Sequence, residues 1–263
     1  MKRLLTLSLA VLLLCTLGCF AVAAEDALTA TVYVTLASKG ALAVSYKQVT
    51  VTDADGDGAL TVSDALYATH EMCFDGGAEA GYNAYMHEEY GLSLGKLWGD
   101  DSGNFGYYVN HASAWSLADP VKDGDVVYAF VYADGEYFSD TYSFFDMNTV
   151  SAAVGGEVTL TLSAAGYDEN WNPVTLPVEG AYLTVDGVKT EVKTGADGKA
   201  VLTLDGVGTH VISAVSDTQT LVPPVCVVTA EPEKVPTGDA GIAVFVLLAV
   251  LSACGVCAVC KKA

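Results

Sequence analysis

The sequence predicts an α+β unit followed by an all-β sandwich, with an apolar segment at each end of the chain. Three observations predict this organisation. Apolar and polar residues alternate along 28–51 and are followed by a helical repeat at 62–73, the mixture expected of an α+β unit. From Val150 onward, short alternating runs are separated by Asp-Gly pairs, the pattern of a sandwich. Uncharged apolar runs occupy both ends of the 263-residue chain.

The chain begins with the features of a secretory signal peptide. Lys2 and Arg3 precede an apolar run that continues to about Val22, and small residues at 21–23 stand just before the first acidic residues. A basic start, an apolar stretch and a small-residue cleavage site are the three parts of such a signal. Residues 1–23 are therefore predicted to be a signal peptide.

The first predicted unit, residues 24–147, combines strands with short helices. Alternating runs on either side of Lys39-Gly40 predict a hairpin. A short amphipathic helix is predicted where four residues recur at three- and four-residue intervals: Val62, Leu66, Thr69 and Cys73. A second short helix is expected between 78 and 90. Two further strands are expected at 105–110 and 126–132, with a turn at 121–125 between them.

The second predicted unit, residues 148–230, is a β-sandwich. Five alternating runs of similar length predict its strands: 156–162, 181–185, 190–194, 200–204 and 208–215. Gly-Ala-Tyr-Leu-Thr-Val at 180–185 and Ala-Asp-Gly-Lys-Ala-Val-Leu-Thr-Leu at 196–204 resemble the immunoglobulin-like and prealbumin-like repeats of bacterial surface proteins. The resemblance implies a spacer.

The other end of the chain is predicted to be a membrane anchor. After a proline-bearing linker at 231–240, residues 241–260 are uncharged and apolar, and Lys261 and Lys262 follow. About 20 helical residues, at about 1.5 Å each, span the hydrocarbon layer. The lysines are expected to stay inside, which makes 261–263 a cytoplasmic tail and places the body outside.

The linker also carries a possible sorting motif. Pro236-Thr237-Gly238, the apolar helix and the basic end together resemble the cell-wall sorting tails of Gram-positive surface proteins, in which a sortase joins the threonine to peptidoglycan. That family has one residue between the proline and the threonine, whereas here they are adjacent. Wall attachment by sortase and simple retention by the membrane helix both remain open. Either one predicts a cell-surface protein anchored to the plasma membrane or the cell wall.

The charge of the body excludes some classes of partner. Residues 24–240 carry all 32 acidic residues and only 8 of the 12 lysines and arginines. Nucleic acid and anionic lipid would be repelled by such a body, and cations would be attracted. The 14 tyrosines and 3 tryptophans admit a carbohydrate- or peptide-binding face through stacking, or ordinary packing in cores and hairpins.

An acidic stretch before the first helix has the spacing of an EF-hand-type calcium loop. Gly58 falls at the sixth position, where the loop bends sharply, and Leu60 points to the core. The alternative is an acidic turn that caps the helix at Ser63 and needs no ion. The candidate calcium ligands are Asp53, Asp55, Asp57, Ala59, Thr61 and Asp64.

Aspartate at the twelfth loop position, Asp64, resembles the calcium loops of dockerins. Dockerins carry two such loops with their helices, whereas this sequence has one, entered from a strand. Cellulosome docking is therefore not expected, and Ca²⁺ is predicted to stabilise the fold.

The residues around the loop resemble a family of Gram-positive surface domains. Thr-Val-Ser-Asp-Ala-Leu at 61–66, Tyr-Tyr-Val-Asn at 107–110 and Asp-Gly-Asp at 123–125 are similar to the transcobalamin C-terminal-like domain of unknown function, over residues 28–146. The related domain covers one face of cobalamin, which implies a ligand face. The chain departs from the family in its calcium loop and in lacking the helical partner domain. The implied ligand-face residues are Trp98, Tyr107, Tyr108, Asn110 and Trp115.

Catalytic motifs do not emerge from the sequence. His70-Glu71-Met72-Cys73-Phe74 begins like a zinc-protease motif but has Phe74 where the second histidine is needed. Cys73 and Cys226 fall in different predicted units, so a disulfide framework is not expected. The chain is predicted to be a non-enzymatic binding or adhesion protein of the cell surface. Its partner would be an extracellular protein, glycan or small ligand; the alternative is capture of a corrinoid such as cobalamin for uptake.

Overall fold

The computed structural model describes residues 28–232, which form mostly β-sheet with two short helices. The predicted signal peptide, the sorting motif Pro236-Thr237-Gly238 and the apolar stretch 241–260 lie outside this range. Between 28 and 232, no helix is long and apolar enough to cross a membrane.

The first unit is a mixed sheet with a helix and a separate hairpin on one face. The sheet order is β2-β1-β7-β5-β6, in which β1 and β7 are parallel and the other pairs antiparallel; β3 and β4 pair only with each other within the described chain. Its elements are β1 (Thr29–Ser38), β2 (Ala41–Thr52), α1 (Val62–Cys73), α2 (Gly77–Gly81), β3 (Asn83–His87), β4 (Gly91–Lys96), β5 (Phe105–Val109), β6 (Ala112–Ser113) and β7 (Val126–Val131).

The core of this unit lies between the sheet and α1. Alternate residues of β1, including Val32, Val34 and Leu36, are fully buried against helix residues such as Leu66. Successive side chains of a strand point to opposite faces, which is why alternation in the sequence predicts one buried face. The predicted hairpin at Lys39-Gly40 and the helix at 62–73 are confirmed.

The region 78–96 differs from the prediction. The expected second helix is a single turn that ends at Gly81, and the chain then forms the β3–β4 hairpin. Leu94 of this hairpin is buried in the core, and Ala84 and Leu92 pack beside it. Glycines and polar residues interrupt the alternation here, so the sequence pattern does not reveal these two strands.

The second unit is a β-sandwich, as predicted. One sheet has the order β11-β10-β8-β16, with β14 also paired to β10, and the other has the order β13-β12-β15-β17-β9. The five predicted strands correspond to β10, β12, β13, β14 and β15. The strands are β8 (Thr141–Phe145), β9 (Thr149–Ala153), β10 (Glu157–Tyr167), β11 (Pro173–Pro177), β12 (Tyr182–Val185), β13 (Val188–Lys193), β14 (Lys199–Thr203), β15 (Gly208–Val215), β16 (Leu221–Val222) and β17 (Cys226–Glu231).

Strand β8 lies before the predicted boundary at residue 147 yet pairs with β10 and β16 of the sandwich. It is buried on both sides. Phe145 belongs to the sandwich core, whereas Tyr142 faces the first unit. A strand with apolar residues on both faces has no alternation, so the sequence pattern did not identify it.

A third core, the junction core, joins the two units. It consists of Ala37, Tyr128, Phe130, Tyr142 and Val222. The Tyr108 ring stacks on the Tyr142 ring at a centroid distance of 3.6 Å, and the Tyr128 hydroxyl donates to the Pro223 carbonyl. The first sheet is therefore covered on both faces, by α1 on one side and by β8 on the other. Residues 28–232 form one continuous body.

Candidate calcium loop and ligand face

The acidic loop connects β2 to α1 and is fixed at both ends, near its start by a hydrogen bond that Ala54 N–H donates to Asp64 Oδ1 at 2.9 Å. Leu60 is buried, and its carbonyl accepts a hydrogen bond from the Val121 N–H at 2.9 Å. Between these ends, one carboxylate oxygen from each of Asp53, Asp55 and Asp57 lies within 4.8 Å of the others. The structure thus brings together the first three predicted ligands at an exposed surface.

Backbone amides hold the loop in this shape. Asp53 Oδ1 accepts from the N–H groups of Gly56 at 2.7 Å and Asp57 at 3.1 Å, and its Oδ2 accepts from Gly58 N–H at 2.9 Å. Gly58 has a φ of 86°, a left-handed conformation that favours glycine. The carboxylate of Asp53 therefore lies at the centre of the turn.

The pKa values of the loop carboxyls shift in opposite directions. Hydrogen bonds from backbone amides, that of Gly58 first, lower the pKa of Asp53. Desolvation raises the pKa of Asp55, and the negative charges of Asp57, Asp64 and Asp53 raise it further. The neighbouring carboxylates therefore disfavour the charged form of Asp55, and a bound cation would favour it.

The remaining predicted ligands have a different arrangement. Asp64 is 2% exposed, and its Oδ1 accepts from Ala54 N–H at 2.9 Å while its Oδ2 accepts from Thr61 N–H at 2.9 Å and the Thr61 hydroxyl at 2.7 Å. Thr61 is the N-cap of α1 and forms a capping box with Asp64. The helix is therefore capped at Thr61 rather than at Ser63, whose hydroxyl bonds the Tyr82 hydroxyl at 2.8 Å.

The donor set suits a hard cation. Calcium takes six to eight oxygen ligands from carboxylates, carbonyls and water. Asp53, Asp55 and Asp57 supply converging carboxylates. Each carboxylate oxygen can accept from more than one donor, so the backbone hydrogen bonds leave capacity for an ion. The residues present fit calcium.

The two predicted ligand-face tyrosines point to opposite sides of β5. Tyr107 packs against the core of the first unit, whereas Tyr108 packs against the junction core. This follows from the period of two along a strand. The sequence motif placed them together, but the sheet separates them.

The other three predicted ligand-face residues have different surroundings. Trp98 packs edge-on against Phe74, with ring centroids 5.0 Å apart. Asn110 holds the turn before β6: its Nδ2 donates to Asp125 Oδ1 and its Oδ1 accepts from Val126 N–H, each at 2.9 Å. Trp115 is 90% exposed in the loop after β6. The five residues do not share one surface.

His70 is a buried polar hub that sequence reasoning did not assign. Its Nδ1 lies 2.7 Å from the Leu66 carbonyl, and Trp98 N–H donates to its Nε2 at 3.0 Å. This pair of contacts requires the neutral tautomer with the proton on Nδ1. Burial lowers the pKa of His70. Because both ring nitrogens contact the backbone, neither is free to bind zinc.

No protein-family model matches the chain, and no curated protein matches it. Several solved structures resemble it weakly, and two of them contain immunoglobulin domains. The structure of Sidekick-1 immunoglobulin domains 1–4 is 13% identical, with a TM-score of 0.22, and the match covers 78% of this chain and 52% of that one. The N-terminal four Ig domains of Dscam1 isoform 4.4 are 10% identical, with a TM-score of 0.19, and the match covers 77% and 42%. The chain spans about half the length of these structures.

Proposed function

We propose that this protein is a calcium-stabilised binding or adhesion protein, displayed at a bacterial cell surface by a C-terminal membrane or cell-wall anchor. The observation that carries the proposal is the convergence of Asp53, Asp55 and Asp57 within 4.8 Å at an exposed turn. Exposed loops of this kind bind calcium at about 0.1–1 mM, the range of extracellular modules. Such a site fills outside the cell, in agreement with the export signal and anchor expected from the sequence.

Calcium would act on the fold rather than on a reaction. Asp53, Asp55, Asp57 and the Ala59 carbonyl would hold it, and its charge would offset the repulsion among the carboxylates. Asp64 and Thr61 link the two ends of the loop to α1. Calcium bound in the loop would therefore stabilise the connection between β2 and the helix. At about ten times the dissociation constant, the ion adds about 1.4 kcal/mol to the free energy of unfolding.

Exposed aromatic side chains on the surface of the body support a role in binding a partner. Trp115, Trp171 and Tyr137 are 90%, 81% and 75% exposed. Large aromatic side chains on a surface favour a role in recognition, because they offer stacking area at little entropic cost. Corrinoid capture has less support, because Tyr107 and Tyr108 lie on opposite faces of β5 and cannot contact one planar ligand together.

Thermal unfolding of the full-length chain in a non-ionic detergent tests this proposal. We expect millimolar calcium to raise the melting temperature by about 3–6 °C over the value in chelator, and magnesium to raise it less. Asp55→Asn and Asp57→Asn should abolish the increase, whereas Asp205→Asn, on an exposed turn of the sandwich, should retain it. Equal melting temperatures in calcium and in chelator would reject the calcium site. An absorbance titration with cobalamin should show no spectral shift.

A further inference from the structure

We infer that two acidic, aromatic loops beside the junction core form a docking face for a cationic peptide segment rich in lysine or arginine. This inference rests on the proposed binding function, because it names the class of partner. The loops are residues 132–139, between β7 and β8, and residues 167–171, between β10 and β11. Together they are called the junction face.

Ring contacts run from the first loop into the junction core, and the second loop holds a ring pair of its own. Phe138 lies edge-on to Tyr132 at 5.2 Å, and Tyr132 lies edge-on to Phe130 at 4.9 Å. Phe130 stacks with Tyr108 at 6.3 Å. In the other loop, Tyr167 lies 6.1 Å from Trp171.

Both loops begin beside the junction core. Burial, together with the phenols of Tyr132 and Tyr167, raises the pKa of the Tyr108 hydroxyl to about 12. Tyr108 and Tyr132 both pack against the junction core. Ala165, near the end of β10, packs against the same junction core. The loops thus border one region of the surface.

The exposed aromatic side chains project from these loops rather than from the core. Tyr137 is 75% exposed, Tyr167 61% and Trp171 81%. Phe138 and Trp171 have positive φ angles of 52° and 63°, which bulky residues adopt only when the surrounding structure holds them there. The loops therefore present their rings to solvent in a fixed conformation.

Each loop also carries an anchored carboxylate. Asp134 accepts from the Ser139 hydroxyl and from the N–H groups of Glu136 and Tyr137, and these bonds lower its pKa. Asp168 accepts from the side chain and backbone of Asn172 and from Asn170 N–H, with the same effect on its pKa. Both groups stay negative at neutral pH.

The negative charge of the region favours a positively charged partner. Residues 123–188, which include both loops, contain no lysine or arginine, while Asp134, Glu136, Asp168 and Glu169 lie in the loops. Lys39, whose amide donates to the Val131 carbonyl, approaches from β1, but its ammonium pairs with Asp100 at 2.7 Å. A cationic segment could bind the carboxylates and the aromatic ring faces together. An acidic or neutral segment would have favourable contacts with the rings only.

Lysine and arginine side chains bind the faces of tyrosine and tryptophan. The chain shows this contact in its own sandwich, where the Nζ atoms of Lys189 and Lys193 lie 3.6 and 4.1 Å from the Tyr182 ring centroid. The rings at Tyr137, Tyr167 and Trp171 have the same chemistry and are exposed. A segment with several cationic side chains could occupy more than one of them.

Fluorescence anisotropy with labelled nona-arginine and nona-lysine tests the inference, using the full-length chain in non-ionic detergent. We expect both peptides to bind and the binding to weaken as salt is raised. The variant Tyr137→Ala/Trp171→Ala, which preserves the charge, should bind at least fivefold more weakly. The matched control Tyr90→Ala removes an exposed ring on the β3–β4 hairpin, which is 63% exposed, and should bind as the unchanged protein does.

Equal affinity of the double variant and the unchanged protein would overturn the inference, because binding would then reflect overall acidity alone. Absence of peptide binding would also overturn the inference. The same holds if the unchanged protein binds a neutral oligosaccharide instead of the peptide and the double variant loses that binding. The calcium-dependent melting shift is measured on the same samples. If calcium still raises the melting temperature but the peptide does not bind, only the docking face is rejected. If the peptide binds but calcium does not raise the melting temperature, only the calcium site is rejected. A retained shift in the double variant also shows that it is folded.

Discussion

At the scale of single residues, His70 shows how a side chain acquires a role from distant parts of the chain. It is fully buried, and its two nitrogens bond the Leu66 carbonyl, one turn earlier, and the Trp98 amide, 28 residues later. The first contact is local to the helix. The second depends on how the β3–β4 hairpin returns to α1, which no spacing in the sequence shows. For this reason the sequence around His70 shows only an incomplete zinc-protease motif and does not indicate its buried role.

Neutral His70 makes stability depend on pH. The unfolded chain takes up a proton near pH 6.5, whereas burial lowers the pKa in the folded state, so the unfolded state binds more protons just below pH 6.5. Stability is therefore lost as the pH falls from about 6.5 toward the folded pKa, by at most about 1.4 kcal/mol per pH unit for one histidine.

We expect His70→Gln to flatten this dependence between pH 6.5 and 5.5, as measured by urea unfolding at a series of pH values. Part of the slope should remain, since burial lowers the pKa of His111 as well. His87→Gln, in the β3–β4 hairpin, is the matched control for removing a histidine. An unchanged slope in His70→Gln would show that His70 is not the neutral hub described.

At the scale of elements, the acidic loop and α1 use their carboxylates in two ways. Asp53, Asp55 and Asp57 form the exposed group, while Asp64 and Thr61 build the capping box. The EF-hand pattern in the sequence treats all of them as ligands. The structure divides them into residues that face the solvent and residues that start the helix.

This division predicts that the cap works without calcium. In chelator, Thr61→Ala should lower the free energy of unfolding by about 1 kcal/mol, because the first turn of α1 loses its side-chain acceptor. Asp57→Asn should leave the stability in chelator almost unchanged and should remove the response to calcium. Denaturant titrations with and without calcium measure both. A Thr61→Ala variant as stable as the unchanged protein would contradict the cap.

The elements that the sequence predicted share one property, a regular pattern with a clear break. The β1–β2 hairpin alternates on either side of Lys39-Gly40, and α1 repeats every three to four residues. The unpredicted elements lack that pattern. Strand β8 is apolar on both faces, β16 has two residues, and β3–β4 is interrupted by glycine and polar residues. The acidic loop could be identified because its spacing is local, whereas the junction face combines two loops that residues 140–166 separate in the sequence.

At the scale of the whole molecule, the junction core makes two predicted units into one body. Tyr142 stacks on Tyr108, lies edge-on to Tyr128 and meets His111, whose Nδ1 is 3.1 Å from the Tyr142 hydroxyl. Sequence reasoning described the sandwich as a spacer. The shared core instead predicts that the sandwich fixes the orientation of the first unit.

We expect Tyr142→Ala to destabilise both units together, by about 3–5 kcal/mol, because it opens a cavity between them. Calorimetry should show one transition at a lower temperature. Tyr142→Phe keeps the ring and removes only the hydroxyl, so its effect should be much smaller. Two separate transitions in the unchanged protein would contradict a single cooperative body.

The anchor is also a property of the whole chain. If sortase processes the sorting motif, Thr237→Ala should move the protein from the wall fraction to the membrane fraction of the native cells. If the apolar stretch alone retains the protein, Thr237→Ala should change nothing, and removal of residues 241–263 should release the protein into the medium. Fractionation followed by immunoblotting distinguishes these outcomes, and release of the unchanged protein into the medium would contradict both.

The most direct test of the central claim is a crystal structure of the body grown in millimolar calcium. The account predicts an ion with calcium's anomalous signal, about 2.3–2.6 Å from oxygens of Asp53, Asp55 and Asp57. Water alone at that position, with the three carboxylates turned away from one another, would contradict it.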